Sequence, residues 1–152
     1  MPQVSPTSVC NTIANTLWEI DAVKSGAVQK PGELSEGISD YPTLQVYLES
    51  HGQDESGSTD RSSFGGGVRR TRMTVHVDLY ARERRDLGED MAALLNLVDV
   101  VSQKFEEQDD KPYFGLEGIK AFQWDGSRIL FTYGDPMVSY VGWRWTITIW
   151  LF

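Results

Sequence analysis

Apolar residues recur at helical spacing in two segments of the chain. In the first, Val9, Ile13, Leu17 and Ile20 form a stripe behind Ser5-Pro6, a favourable pair for starting a helix. The second segment, residues 86–107, opens with an acidic capping-box pattern. We therefore predict two amphipathic helices, with Gly26 as the stop of the first. The predicted buried face of the second consists of Leu87, Met91, Leu94, Leu95, Val98, Val101 and Phe105.

Alternation of apolar and polar residues predicts strands over residues 42–49, 69–82 and about 138–152. Two further apolar runs, 116–124 and 127–133, flank Asp125-Gly126, which is a strong hairpin signal. That hairpin would pair Phe122 with Ile129, and residues 27–40 are expected to form a loop. The predicted order of elements is therefore α-β-β-α-β-β-β. Short hairpin connections and two helices favour an α+β fold, with one mostly antiparallel sheet and both helices packed against it.

Length supports one domain over residues 1–152. Within it, residues 50–67 (SHGQDESGSTDRSSFGGG) are rich in Gly, Ser and Asp, and Phe64 is their single large apolar residue. A loop of this length inside a compact domain is usually functional or disordered. We expect it to be a mobile hairpin arm between the first two strands.

Composition excludes several classes of protein. The chain is 40% apolar and 24% charged, which does not fit a disordered protein. No apolar run approaches about 18 residues, so we expect no membrane span and no membrane partner. Cys10 is the single cysteine, which excludes an internal disulfide scaffold. We see no secretory signal pattern at the start and expect the chain to be made and used in a cytoplasm, or to be carried out of it inside something else.

Charge is unevenly distributed along the chain. Residues 1–60, 61–85 and 86–152 carry net charges of −7, +5 and −6, for a total of −8. A negative chain is repelled by phosphate as a whole, which argues against a dedicated nucleic-acid binder. The Arg cluster in the middle segment leaves three interpretations open: contact with DNA phosphates, docking onto an acidic face of another protein, and solvation of the base of the hairpin.

No residue pattern indicates catalysis. His51 lies in the polar loop and His76 in the middle of a strand, and no Cys and His spacing matches a zinc site. The Gly65-Gly66-Gly67 run lacks the Lys-Ser/Thr of a phosphate loop. The acidic alternation over residues 54–60 lacks the Gly and Glu that a calcium loop requires. We predict no catalytic residue, no metal, no cofactor and no enzymatic activity.

The last strand carries two different faces. Trp143, Trp145, Ile147 and Ile149 share an apolar face that is typical of a core. Tyr140, Trp150 and Phe152 lie on the reverse face, where they would make an unusual exposed patch unless a helix or a partner subunit covers them.

The whole pattern resembles a known family. A helix and a strand lead through a long polar loop into RRTRMTVHVDLYAR; the helix LGEDMAALLNLVDVVSQKF follows, and the chain ends in YVGWRWTITIWLF. This order over nearly the whole chain is similar to the tail terminator and tail completion proteins of tailed bacteriophages, and to the related head–tail joining proteins.

The resemblance implies a structural virion protein. Such proteins form a ring, commonly a hexamer, on the head-proximal end of the tail, after assembly in the host cytoplasm. The ring stops polymerisation of the tail tube protein and contacts the head–tail connector protein, and DNA passes through it only as cargo. Sister copies in a ring meet through two different surfaces, which a basic hairpin between acidic segments would provide.

Candidate assembly contacts follow from the residues themselves. The first set is the arm with Phe64, Arg69, Arg70 and Arg72, and the second is Tyr140, Trp150 and Phe152. Three alternatives stay open: a head-closure or neck protein of the same particle, a small cytosolic ligand-binding module with an α+β fold, and nucleic-acid binding through the Arg cluster.

Overall fold

Five strands form a single sheet, and two helices lie against it. The computed structural model describes residues 4–24, 26–34, 41–53, 71–83, 87–109, 113–133 and 138–151. The helices are α1 (Pro6–Trp18) and α2 (Leu87–Glu106). The strands are β1 (Ala27–Gln29), β2 (Thr43–Gln53), β3 (Thr71–Glu83), β4 (Ile119–Tyr133) and β5 (Val138–Leu151). Two helices and a five-stranded sheet confirm the prediction of an α+β fold.

The sheet is mixed, with the strand order β1-β2-β3-β5-β4. β1 pairs with β2 in parallel, and the other three pairings are antiparallel. The strand that closes the chain therefore lies inside the sheet, between β3 and β4. This central position suits its composition, because every second residue of β5 from Val141 onward, on the side of the core, is large and apolar.

The hairpin predicted at Asp125-Gly126 is wrong. Both residues lie inside the continuous strand β4, whose register with β5 places Phe122 opposite Ile149 and Ile129 opposite Gly142. A Cβ added at Gly126 would lie 2.2 Å from Trp143 Nε1, so this glycine makes room for an indole ring. A long ladder with β5 therefore outweighs the local turn signal, and the expected order α-β-β-α-β-β-β is not observed.

A short strand replaces part of the loop predicted at residues 27–40. β1 pairs with Thr43–Gln45 of β2, which gives the order α-β-β-β-α-β-β. Gly26 does not stop α1, which ends at Trp18. A Cβ at Gly26 would fall 1.7 Å from the Pro42 carbonyl oxygen, and Ala27 N donates to that same oxygen (3.0 Å). The glycine therefore permits the close backbone approach that starts the β1–β2 pair.

The first residues of the predicted arm are part of a strand. Residues 50–53 belong to β2 and pair with residues 71–74 of β3. The rest of the predicted arm lies outside the described residues, and its mobility stays a prediction.

Both helices cover the same face of the sheet, called the covered face below. Ser5 caps α1 as predicted, since its hydroxyl accepts a hydrogen bond from Ser8 N (3.1 Å). Leu95, expected in the core, is 46% exposed, because the buried stripe of α2 runs through Leu94 and Val98 instead. The core cluster combines α1, α2 and this face; its largest members are Trp145, Phe105, Ile13, Leu17, Leu44, Met73, Leu79, Ile147 and Ile149.

Candidate functional site

The opposite side of the sheet, called the open face below, carries mainly polar and aromatic side chains. Its central residues are Gln45, Tyr47, His76, Asp78, Arg144 and Thr146. The buried cluster on this face is built from strand and loop residues alone, whereas the helices contribute to the other cluster. Side chains on the open face therefore depend on one another for their burial.

A hydrogen-bonded network of three side chains occupies the middle of the open face. Arg144 Nε donates to Asp78 Oδ1 (2.7 Å), and Arg144 Nη2 donates to Asp78 Oδ2 (3.0 Å). The Tyr47 hydroxyl donates to Asp78 Oδ2 (2.6 Å) and accepts a bond from Arg144 Nη2 (3.1 Å). Asp78 and Arg144 are direct cross-strand partners, so the sheet register itself sets the two-point contact.

The network raises the pKa values of two of its residues, Arg144 and Tyr47. Asp78 is only 2% exposed, and its carboxylate accepts bonds from both partners. Its hydrogen bonds to Arg144 raise the pKa of that guanidinium, more than burial lowers it. Burial, followed by the hydrogen bond to Asp78, raises the pKa of the Tyr47 phenol. Because Arg144 is paired with Asp78, this arginine is not a free cation for a phosphate in the middle of the open face.

Two further polar pairs flank this network. Gln45 Nε2 donates to Gln29 Oε1 (2.9 Å), which ties β1 to β2. His76 Nε2 lies 2.8 Å from Glu49 Oε2, and the His76 ring meets the Tyr47 ring edge-on at 5.5 Å. The polar contacts of the open face therefore extend across four neighbouring strands, β1, β2, β3 and β5.

Tyr140, which the sequence places on a face that a helix or a partner subunit would cover, is buried within its own chain. It packs edge-on against Tyr80 at a centroid distance of 5.8 Å, and the Tyr41 ring lies 6.1 Å away. Burial is the main cause that raises the pKa of Tyr41, and the neighbouring Tyr140 adds to it. The cover for Tyr140 thus comes from strand and loop residues of its own chain, and its role as an assembly contact stays a prediction.

Two of the predicted contact residues meet at the opposite end of the open face. Arg72 on β3 is the direct cross-strand partner of Trp150 on β5. Arg72 is exposed and Trp150 is half-buried. Both are therefore accessible to a partner at one corner of the sheet. The other predicted contacts, Phe64, Arg69, Arg70 and Phe152, lie outside the described residues.

Sequence reasoning missed the Asp78 network. Asp78 interrupts a strand of β-branched and apolar residues, and aspartate is depleted in strands. An aspartate in such a strand was the one signal by which the sequence could have indicated a buried polar contact. Matching it to Arg144 requires the β3–β5 pairing, which lies between strands distant in the chain and was not predicted.

Within the parts of the chain that the structure describes, no group of three or more His, Cys, Asp or Glu residues is arranged to hold a metal ion. Neither described helix combines the length and apolar character needed to cross a membrane. No protein-family model matches the chain, and no curated protein matches it.

Proposed function

We propose that the chain is a structural virion protein of a tailed phage. In this proposal it forms a ring, with six copies as the expected number, at the head-proximal end of the tail. The ring ends polymerisation of the tail tube protein and joins the tail to the head–tail connector protein. DNA passes through the ring as cargo.

One observation carries the proposal: the base of the predicted arm and the end of the last strand lie at the same end of the sheet. Gln53 and Thr71, the described residues on either side of the arm, are Cα partners, and Thr71 is in turn the partner of Leu151. Arg72 and Trp150 adjoin them in register. The base of the arm and the end of β5, which the sequence analysis selected as two separate sets of contacts, therefore form one corner of the sheet.

Charge supports a protein partner for this corner. The basic segment 61–85 carries +5, whereas the segments before and after it carry −7 and −6. An acidic surface of a sister copy or of a neighbouring virion protein would complement it. Arg144, the arginine in the middle of the open face, is held by Asp78, whereas Arg72 is exposed at the corner.

Electron microscopy of tails assembled with and without the chain tests this function. We expect tubes of uncontrolled length in its absence and tubes of uniform length in its presence. Tubes of uniform length in both preparations would overturn the terminator role. A gold label on the chain that decorates defective heads, and not tails, would instead indicate the head-closure or neck protein.

A charge reversal tests the corner itself. Arg72→Glu is expected to weaken length control, because it places an acidic group where an acidic partner surface docks. Lys24→Glu is the matched control, since Lys24 makes only an exposed ion pair with Asp21 (3.4 Å). Equal behaviour of the two variants would remove Arg72 from the assembly contact.

A further inference from the structure

Among the described residues, the outer side of β4 has no strand partner, and neither does the outer side of β2 beyond its short pairing with β1. We propose that these edges pair with each other between copies, so that the outer edge of β4 in one copy takes the outer edge of β2 in the next. The inference rests on the proposed function and deepens it, because it names the contact that links neighbours in the ring.

Both edges are long within the described residues. β4 pairs with β5 along Ile119–Tyr133, and no described strand lies on its other side. β1 reaches only Thr43–Gln45 of β2, so the outer side of residues 46–53 has no strand partner among the described residues. Such edges present backbone N–H and C=O groups ready to pair with another strand.

Most of β4 forms a regular ladder. The ladder has one irregularity, between Ile119 and Ala121 at its start, and residues 121–133 (AFQWDGSRILFTY) contain no proline and no lysine; their charged residues are Asp125 and Arg128. Natural edge strands are usually short, bulged, or marked by proline and charged residues, above all lysine. The length and regularity of this edge fit a strand that is paired in the assembled protein.

The covered face provides a second, independent observation. Leu48 on β2 and Phe122 and Trp124 on β4 are half-buried and pack against the core from its two ends. If β4 of one copy lies beside β2 of the next with the covered faces aligned, these apolar side chains become neighbours. The contact would then bury the exposed apolar surface of these side chains, which favours association.

Two different edges make the contact heterologous. Each copy uses β4 toward one neighbour and β2 toward the other, so the contact repeats around a ring if the rotation closes. Pairing of β4 with β4 would be isologous and would stop at a dimer. Pairing of β4 with β2 therefore needs both edges to be intact, whereas pairing of β4 with β4 needs the β4 edge alone.

Lysine substitutions block each edge separately. Gln123→Lys with Ser127→Lys places two charges on exposed positions of β4. Ser50→Lys with Gly52→Lys does the same on β2, where a Cβ at Gly52 meets nothing within 4 Å. The control, Asn96→Lys with Gln103→Lys, adds the same charge to exposed positions of α2.

Sedimentation velocity over a concentration series is the measurement. We expect the unmodified chain and the α2 control to assemble beyond dimers, and each edge variant alone to show a dissociation constant raised about tenfold or more. An equimolar mixture of the two edge variants should form dimers and nothing larger, because one intact β4 edge then meets one intact β2 edge.

Several results would overturn the inference. The unmodified chain could stay monomeric at millimolar concentration, both edge variants could assemble like the control, or the mixture could fail to pair. Full assembly of the β2 variant with loss in the β4 variant alone would show β4–β4 pairing instead. None of these results decides tail length, so the electron microscopy above separates failure of this contact from failure of the proposed function.

Discussion

The two faces of the sheet are buried by different means. On the covered face, α1 and α2 remove apolar side chains such as Trp145 and Ile147 from water. On the open face, Asp78 reaches the same degree of burial under the side chains of Arg144 and Tyr47. Apolar burial is non-directional and tolerates exchange of similar side chains, whereas a buried carboxylate depends on particular donors. Substitutions on the covered face should therefore destabilise the fold when they remove side-chain volume. Substitutions on the open face should destabilise it when they remove a hydrogen-bond partner.

The largest expected difference in the free energy of unfolding is between alanine substitutions of two tryptophans of β5. Trp145 is fully buried on the covered face, and its Nε1 donates to Ser102 Oγ (3.2 Å), whereas Trp150 is half-buried on the open face. Trp145→Ala should lower the free energy of unfolding by about 3–5 kcal/mol, since it leaves a cavity. Trp150→Ala should cost about 1 kcal/mol, because less of its surface is buried. Urea titration measures both, and equal losses would contradict the distinction between the faces.

The next effect tests the Asp78 network. Arg144→Leu should lower the free energy of unfolding by about 3 kcal/mol, because it leaves the Asp78 carboxylate buried without its main donor. The side chain of Arg144 is 30% exposed, which places this estimate at the low end for buried pairs. Asp78→Asn combined with Arg144→Leu should cost less than the sum of the two single changes. A double-mutant cycle by urea titration measures the coupling, and additive costs would refute the network as a unit.

The smallest effect concerns Tyr47 and is pH-dependent. Tyr47→Phe removes one hydrogen bond to Asp78 and should cost about 1 kcal/mol at neutral pH. Because the folded pKa of Tyr47 is raised above the ordinary value of about 10, the phenol contributes its full stability below pH 10. Above that pH the unfolded chain ionises first and the contribution falls. The cost of Tyr47→Phe should therefore shrink from pH 9 to pH 11, as unfolding titrations at both values would show.

The buried thiol of Cys10 also titrates at high pH, so its effect on the Tyr47 measurement must be considered. Burial raises the pKa of Cys10 to about 11. The Cys10 contribution to stability is therefore complete below its ordinary pKa and decreases as the pH rises toward 11. It decreases equally in the chain with Tyr47 and in Tyr47→Phe, and so cancels from their difference. If the loss of unfolding free energy in Tyr47→Phe stays constant from pH 9 to pH 11, the Tyr47 phenol ionises equally in the folded and the unfolded chain, which would contradict the prediction.

Local patterns predicted most of the secondary structure. The Ser5-Pro6 start, the long helix after Asp86 and the alternation in β3 and β5 depend on neighbouring residues, and the structure confirms them. The errors came where a distant partner outweighs a local signal. Gly126 signals a turn but lies under Trp143, and Gly26 signals a helix end but lies against Pro42.

The positions of the candidate contacts depend on the same packing between distant segments. Arg72 and Trp150 were selected from separate segments, and only the β3–β5 register brings them together. Tyr140 was selected on a face that a helix or a partner subunit would cover. Tyr80 and Tyr41, which supply that cover, lie far from Tyr140 in the chain.

The sequence by itself determined the fold class, the two helices and the alternating faces of the long strands, because each depends on the spacing of apolar residues along a few turns or a few pleats. The tertiary structure decided which strands are neighbours. That choice places β5 inside the sheet, leaves β4 at its edge, and brings Arg144 to Asp78. It depends on packing between segments distant in the chain, about which local spacing holds no information.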